Sequence, residues 1–330
     1  MIVNVLLFAL GLVMLIKGGD WFVDSASGIA RRFKLPELLI GATVVSIGTT
    51  LPEVMVSAQG AMAGSGGMAY GNAIGSIICN TSLIAALTVA IKPGKVERRS
   101  LLLPVSFFFL AAAFYMGVAY ITGEFSRVVG VVLLGLFIVY MVSTFLQMKH
   151  TPSTDLDGYV DEEAPAPEVP EKKTSLGKDL LFLVIGAALI ALGANLLVEN
   201  GTAIAQRLGV PDTVIALTFV ALGTSLPELV TAITSLVKGH GALSLGNIIG
   251  ANLFNLVLVS GVSTVISPFP VPSESTMGGM PASLVLDLPV MLGVMLILIV
   301  PTLIRGKLSR VQGIGLLCIY AAFCTLQFVM

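Results

Sequence analysis

The chain has 330 residues, of which 56% are hydrophobic and only 11% are charged, and its mean hydropathy is +0.98. Soluble domains carry about 25% charged residues, so this composition excludes an ordinary soluble domain and indicates an integral membrane protein. The net charge of −1, with no basic face interleaved with aromatic residues, gives no argument for nucleic-acid binding.

Ten apolar stretches are long enough to cross a hydrocarbon core of ~30 Å, which takes about 20 helical residues. The first is predicted to be a transmembrane helix rather than a secretory signal, because no basic residue precedes it and its C-terminal part recurs later in the chain. Five stretches come before the segment 149–177 and five come after it. The ten stretches are 3–28, 36–60, 69–91, 100–121, 126–148, 178–200, 211–236, 243–266, 283–303 and 309–329.

Two regions of the chain share one pattern at a constant offset of 175 residues. The first copy contains IGATVVSIGTTLPEVMVSAQ from Ile40 and YGNAIGSIICN from Tyr70. The second copy contains IALTFVALGTSLPELVTAIT from Ile215 and LGNIIGANLFN from Leu245, and 17 of 52 aligned positions are identical. Matched Gly, Thr, Pro, Glu and Asn residues inside otherwise apolar segments indicate an internal duplication.

An odd number of helices in each copy has a geometric consequence. If five helices cross the membrane in one copy, the next five begin on the opposite side, so the copies are inverted relative to each other. We therefore predict an all-α membrane protein with ten transmembrane helices in two inverted five-helix repeats. The predicted boundaries are 1–148 for the first repeat, 149–177 for a linker and 178–330 for the second repeat.

Basic residues predict the orientation. Of the 18 Lys and Arg residues, only Lys17, Arg127 and Arg207 lie outside the loops that follow odd-numbered helices, which leaves fifteen in those loops. We predict that the chain lies in the cell (inner) membrane. The positive-inside rule then places both termini on the outer side of this membrane and 149–177 in the cytoplasm. This linker is acidic and proline-rich and is predicted to be disordered, because its Asp155-Leu-Asp157-Gly158 lacks the later ligands of a calcium loop.

Glu53 and Glu228 are the most informative residues. Each lies near the middle of an apolar segment, where a carboxylate costs on the order of 3 kcal/mol, and no basic residue in these segments can neutralise it. Pro52 and Pro227 precede them and remove a helical hydrogen bond. We therefore expect helices 2 and 7 to be broken near the bilayer midplane, with freed carbonyls that line a cavity or bind a ligand.

The side chains around these glutamates are oxygen donors, with no imidazole or thiolate among them. Hydroxyls and amides recur in both copies, and Gly71, Gly75, Gly246 and Gly250 are predicted to be packing positions. Two carboxylates match the charge of one Ca²⁺, which prefers six to eight oxygens at ~2.3–2.6 Å. Na⁺ uses smaller sets of the same ligands, so the two ions would compete.

These motifs resemble the two α-repeats of the sodium/calcium exchanger family, in the cation/calcium antiporter superfamily. The resemblance implies alternating access, with Ca²⁺ and Na⁺ as transported ions, lipid as the surroundings and no organic cofactor. It also implies the ligands. The central divalent site would use Glu53, Glu228, Thr49 and Thr224, and Asn80 and Asn255 would flank it. One Na⁺ site would use the Ala221 carbonyl, Thr224, Ser225, Ser76 and Glu53. The pseudo-symmetric Na⁺ site would use the Ser46 carbonyl, Thr49, Thr50 and Glu228.

Two positions depart from the pattern of the family. Ala251 stands where the first copy has Ser76, and Asn255 stands where some members have an acid. Both differences weaken one monovalent site, so a Ca²⁺/H⁺ exchanger remains the alternative. An intramembrane hydrolase has little support, because no HExxH or GxGD motif is present. A passive cation channel would not need two inverted helices interrupted by proline.

Other polar residues in the membrane are predicted to be structural. Lys17 and Asp20, at positions i and i+3, could neutralise each other, with Asp24 and Glu199 nearby in the repeat pattern. Asp287 fits an interfacial position near the start of helix 9. The three cysteines have neither disulfide nor zinc-site spacing and are expected to be small buried hydrophobic residues.

Overall fold

A computed structural model describes residues 2–150, 175–208, 223–273 and 276–329. Within these ranges nine helices are long and apolar enough to span a membrane, and a tenth apolar helix is shorter because only its C-terminal part is described. This agrees with the predicted ten-helix plan. The helices are α1 Ile2–Phe33, α2 Glu37–Met62, α3 Gly66–Ile91, α4 Arg98–Thr122, α5 Arg127–His150, α6 Leu176–Arg207, α7 Leu226–Val237, α8 Gly241–Ile266, α9 Ser283–Arg305 and α10 Arg310–Val329.

The packing of α1 against α6 displays the inverted repeat directly. A Cβ atom at Gly11 would lie 2.8 Å from the carbonyl oxygen of Gly193, and a Cβ at Gly193 would lie 2.8 Å from that of Gly11. Gly18 and Gly186 stand in the same relation at 2.9 Å. Gly186 is the duplicate of Gly11, and Gly193 is the duplicate of Gly18. Gly11 therefore contacts the duplicate of Gly18, and Gly18 contacts the duplicate of Gly11. This is the contact pattern that a two-fold axis between antiparallel helices requires.

The turns between α2 and α3 and between α7 and α8 repeat the same geometry. Gly64 has φ +76° and Gly239 has φ +81°, the left-handed conformation that ends many helices. Around them the Ser65 amide donates to the Gly60 carbonyl at 2.8 Å, and the His240 amide donates to the Ser235 carbonyl at 2.7 Å. The duplication therefore extends from sequence to backbone hydrogen bonds.

The predicted break of α2 at Pro52 takes a different form. The chain is continuous α-helix over Ser46–Met62 with Pro52 inside it, and the irregularity lies upstream, in a π-helical turn at Gly41–Val45. Pro52 lacks an N–H group, but losing one hydrogen bond leaves enough bonds on either side to keep the helix. In α7 the described helix begins at Leu226, so Pro227 lies in its first turn, where a missing N–H costs little.

Two apolar cores hold the helices together. The larger core lies mainly among α3, α4, α8 and α9 and includes Phe108 and Phe254, and the smaller lies between α1 and α6 and includes Phe22. β1 Glu124–Phe125 pairs with β2 Phe269–Pro270 and joins the α4–α5 loop to the α8–α9 loop, and β3 Thr276–Met277 pairs with β4 Met280–Pro281 as a hairpin within the α8–α9 loop. Most of the predicted linker lies outside the described residues.

Candidate cation-binding site

The two glutamates that the duplication singles out lie together in the protein interior. Glu53 and Glu228 both have 0% exposed surface, and their side chains lie close enough to interact electrostatically. None of the four carboxylate oxygens accepts a hydrogen bond from the part of the chain that the structure describes. Burying an unpaired charge is strongly unfavourable, so a cation bound between the carboxylates would offset the cost of placing them there.

The hydroxyl groups of α2 lie on the same side as Glu53. Ser46 Oγ donates to the Gly41 carbonyl at 2.8 Å and lies 3.0 Å from the Asn247 carbonyl of α8. Thr49 lies beside the Glu228 carboxylate, although its hydroxyl is directed at Asn247 Oδ1, 3.2 Å away. Thr50 is fully buried, and its Oγ1 has no hydrogen-bond partner in the described ranges. Thr50 therefore keeps a free oxygen for a ligand.

Two asparagines begin π-helical turns at duplicated positions. Asn80 starts the turn Asn80–Ala85 in α3, and Asn255 starts Asn255–Val259 in α8. Both side chains have 0% exposure, and neither the amide nitrogen nor the amide oxygen of either one has a hydrogen-bond partner among the described residues. Such turns are rare and occur frequently at functional sites. These amides add four more unpartnered polar atoms to the interior.

The remaining predicted ligands are described to different extents. Ser225 precedes the first turn of α7, is 2% exposed and has an Oγ without a hydrogen-bond partner in the described chain. Thr224 is half-buried beside it, and Ser76 is 4% exposed on α3. Ala221 lies outside the described residues. Within the described ranges no three His, Cys, Asp or Glu side chains are grouped so that they could hold a metal ion, so oxygen ligands from hydroxyls, amides and carbonyls would have to complete the site.

Asn247 connects the two repeats and was absent from the predicted ligand set. Its Oδ1 accepts from the Thr49 hydroxyl, and its Nδ2 donates to Thr231 Oγ1 at 2.8 Å. The duplicate, Asn72, donates to Ser57 Oγ at 2.8 Å and to the Glu53 carbonyl at 3.2 Å. Both amides are thus occupied by protein groups and hold the site helices together. Their duplication in the sequence was a signal for this role.

Asn252 is a polar residue that the duplication did not indicate, because its duplicate is the apolar Ile77. It is fully buried, and its Nδ2 donates to Thr81 Oγ1 at 2.7 Å and contacts Met295 Sδ at 3.3 Å. The amide therefore links α8 to α3 and α9, one turn away from Asn255. Only the three-dimensional packing reveals that Asn252 and Thr81 are neighbours.

The predicted pairing of Lys17 with Asp20 is wrong. Lys238 at the end of α7 instead forms ion pairs with Asp20 at 3.1 Å and with Asp24 at 2.7 Å. Residues far apart in sequence satisfy these carboxylates because α1 packs against α7. Asp287 ends the π-helical turn that opens α9, and it accepts a hydrogen bond from the Gln327 amide at 2.6 Å.

The predicted packing role of the glycines holds in only one copy. A Cβ at Gly246 would collide with the Leu38 carbonyl, and a Cβ at Gly250 would lie 2.6 Å from the Ala42 Cα, so α8 packs closely on α2. Gly71 and Gly75 have no atom within 4 Å of such a Cβ. Instead they line a cavity of about 330 Å³ together with Asp287, Phe323 and Gln327.

Comparison with known proteins gives matches along nearly the whole chain. The family described as "Sodium/calcium exchanger protein" matches residues 3–146 and 178–329, which leaves out the predicted linker. The sodium/calcium exchanger MaX1 of Methanosarcina acetivorans is 32% identical over 99% of both chains. The inner membrane protein YrbG of Escherichia coli is 35% identical over 81% of both chains.

Solved structures give the same result at the level of the fold. The sodium–calcium exchanger NCX_Mj, in crystals soaked with Na⁺ and Sr²⁺, superposes on this chain with a TM-score of 0.77. The two are 33% identical, and the superposition covers 97% of each chain. Sequence and structure therefore agree on the relatives of this chain.

Proposed function

Because this chain belongs to the sodium/calcium exchanger family, we propose that it exchanges Ca²⁺ for Na⁺ across the membrane by alternating access. The observation that carries the proposal is the pair Glu53 and Glu228, which are fully buried, close to each other and without hydrogen-bond partners in the described chain. Two adjacent carboxylates carry a charge of −2 and thus balance one divalent cation. The ions would bind between the repeats, 1–148 and 178–330, which the linker 149–177 joins.

The ligands are assigned by their chemistry. Glu53, Glu228, Thr49 and Thr224 would hold Ca²⁺, which accepts irregular oxygen geometry. The flanking Na⁺ sites would use Ser225, Ser76 and the Ala221 carbonyl on one side and Thr50 and the Ser46 carbonyl on the other, each with one of the glutamates. Asn80 and Asn255 would complete the middle. Because each glutamate belongs to both kinds of site, Na⁺ binding would displace Ca²⁺.

Neutral oxygens favour Na⁺ over H⁺ as the driving ion. A proton carrier needs only the carboxylates, whereas Thr50 Oγ1 and Ser225 Oγ are also buried and have no protein partner in the described ranges. Hydroxyl oxygens of this kind are ligands for a metal cation. The relative MaX1 is named a sodium/calcium exchanger, and structures of NCX_Mj were obtained after soaking with Na⁺ and Ca²⁺ or with Na⁺ and Sr²⁺.

A Ca²⁺/H⁺ exchanger is the second candidate, and one observation favours it. Ala251 is fully buried at the position where the first copy has Ser76, so one monovalent site lacks a hydroxyl. Asn255 likewise brings no charge. With fewer Na⁺ ligands, protons on Glu53 and Glu228 would take over the role of the counter-ion.

We also propose an orientation. The loops after odd-numbered helices and the helix ends that border them hold all the Lys and Arg residues except Lys17, Arg127 and Arg207. Both termini would then lie outside, and the linker 149–177 would lie in the cytoplasm. Accessibility of single cysteines introduced at the chain ends and in the linker, probed in sealed cells with a membrane-impermeant reagent, tests this assignment.

Calcium uptake into reconstituted vesicles separates the two candidates. Radiolabelled Ca²⁺ is supplied outside, an outward Na⁺ gradient or an outward H⁺ gradient is imposed in turn, and the membrane potential is clamped. Na⁺/Ca²⁺ exchange predicts uptake with the Na⁺ gradient alone. Uptake driven only by the H⁺ gradient would replace this proposal with the second candidate, and uptake without either gradient would indicate a channel.

A further inference from the structure

The π-helical turn of α2 is supported by side chains. Thr43 Oγ1 donates to the Leu39 carbonyl at 2.7 Å, and Ser46 Oγ donates to the Gly41 carbonyl at 2.8 Å. Both donors belong to α2 itself. The third donor comes from α5: the Tyr140 hydroxyl donates to the Ala42 carbonyl at 2.9 Å. Within the described chain, Tyr140 provides the one side-chain hydrogen bond from another helix to a carbonyl of this turn.

The ring of Tyr140 is buried and packs against two other aromatic rings. Its side chain is fully buried, with Phe107 at a centroid distance of 5.4 Å and Phe254 at 6.0 Å, both edge-on. Thr144, one turn further along α5, lies close to the same hydroxyl. A buried tyrosine hydroxyl that is aimed by aromatic packing at one carbonyl is a geometrically specific donor.

The turn that Tyr140 supports decides which way the site residues face. A π-helical turn contains one residue more than an α-helical turn. Converting it to regular α-helix would therefore rotate the part of the helix after the turn by about 100° relative to the part before it. Ser46, Thr49 and Glu53 follow this turn directly. Their orientation toward α7 and α8 therefore depends on the turn being kept.

We propose that Tyr140 is a positioning residue for the cation site, which fixes the π-helical turn of α2 through the Ala42 carbonyl. This rests on the proposed function for the identity of the site. The duplicate of Tyr140 is Phe323, which has no hydroxyl. α5 and α10 are offset by 183 residues, because Gly130 of α5 contacts Gly261 while Gly313 of α10 contacts Ala86, the duplicate of Gly261. α10 therefore carries no hydroxyl at the position where α5 carries that of Tyr140.

Tyr140→Phe tests the proposal, because it removes one hydroxyl and keeps the ring packing. Amide hydrogen exchange over residues 37–50 should become on the order of 5- to 10-fold faster, as expected for the loss of one buried hydrogen bond. In vesicles the apparent KM for Ca²⁺ and for Na⁺ should rise about 5- to 10-fold on the same grounds, with little change in the maximal rate. A residue with a general structural role would lower the maximal rate through loss of folded protein instead.

Tyr115→Phe is the matched control. Tyr115 is also fully buried, and its ring stacks on Phe125 at 4.4 Å, but its hydroxyl lies beside Ser260 rather than beside α2. This variant should keep wild-type KM values and wild-type exchange over residues 37–50. If Tyr140→Phe behaved like this control in both measurements, the positioning role would be refuted.

4-Aminophenylalanine at position 140 provides a second variant in case the phenylalanine protein is poorly folded. Its amine can donate to the Ala42 carbonyl, so slow exchange and low KM values should return. If it matched the phenylalanine variant, the donor would be irrelevant and the proposal would fail. The exchange measurement needs no transport. If the wild-type protein showed no Na⁺-driven Ca²⁺ uptake, the proposed function would be refuted, and the exchange measurement would still test the role of Tyr140 in the turn.

Discussion

At the scale of single residues, the interior of this protein contains an unusual number of polar atoms without protein partners. Both glutamates, both asparagines that begin π-helical turns, Thr50 and Ser225 are buried, and their side-chain oxygens make no hydrogen bond in the described chain. Buried polar groups are normally hydrogen-bonded. A cluster of exceptions between two repeats is therefore a set of groups available to a bound cation.

Neutralising either glutamate should abolish transport and leave the fold intact. Glu53→Gln and Glu228→Gln each remove half of the charge that faces a divalent ion, which we expect to cost on the order of 3 kcal/mol, or about 100-fold in Ca²⁺ affinity. Thermal stability without ions should stay the same or increase, because the unpaired charge is gone. Glu124→Gln, at the exposed first residue of β1, is the control. Calcium flux near the wild-type level in either site variant would contradict the site.

Ala251→Ser should strengthen the dependence on Na⁺. It returns a hydroxyl to the position of Ser76, and one added oxygen ligand should lower the apparent KM for Na⁺ about 5-fold. Initial rates of Ca²⁺ uptake measured against Na⁺ concentration test this. Ala111→Ser, at a fully buried alanine of α4, controls for the burial of a hydroxyl. An unchanged Na⁺ dependence would show that the missing hydroxyl does not matter.

At the scale of elements, glycines set how closely the helices approach. α1 and α6 touch backbone to backbone at Gly11 with Gly193 and at Gly18 with Gly186, and α8 touches α2 at Gly246. Small residues are favoured at such crossings because membrane helices gain stability mainly from close packing. The first repeat departs from this rule at Gly71, which faces open space.

Gly18→Ala should destabilise the protein, because the new Cβ would lie 2.9 Å from the Gly186 carbonyl oxygen. Overpacking of this kind costs about 1–3 kcal/mol. Gly117→Ala is the matched control, since no atom lies within 4 Å of its Cβ and alanine favours helix. The single tryptophan, Trp21, packs edge-on against Phe182 of α6 at 5.2 Å, so its fluorescence during thermal unfolding reports on this interface. Equal midpoints for the two variants would contradict the proposed contact.

At the scale of the whole molecule, this is a multi-pass membrane protein of the cation/calcium antiporter type. Its two halves are duplicates in turn geometry and in the π-helical turns at Asn80 and Asn255. Their polar contacts differ, because Asn252 and Tyr140 have no polar duplicates. Duplicated helices can therefore contribute to the same site while different side-chain hydrogen bonds hold them in place.

Replacing residues 155–172 with a Gly/Ser sequence of equal length should leave transport unchanged within about 2-fold, because the acidic, proline-rich composition predicts a segment that only connects the repeats. Calcium uptake by the variant and the wild type at equal amounts of reconstituted protein tests this. A loss of uptake at unchanged thermal stability would assign a regulatory role to the linker. A replacement of the same length keeps the span between α5 and α6 unaltered.

The sequence by itself determined the plan of the protein. Apolar length defined the helices, the 175-residue offset defined the inverted repeat, and the cost of a carboxylate in lipid pointed to Glu53 and Glu228. These features are local or periodic, so they can be derived without knowing any contact between helices. The pairing of Lys17 with Asp20 was wrong because it considered neighbours along one helix only.

Only the tertiary structure decided which groups meet across helices. It gave Asp20 and Asp24 the partner Lys238, occupied Asn247 with Thr49 and Thr231, and directed the Tyr140 hydroxyl at the Ala42 carbonyl. It also kept α2 helical through Pro52 and placed the irregular turn upstream. Each of these outcomes depends on the distance and rotation between packed helices, which no spacing within a single helix specifies.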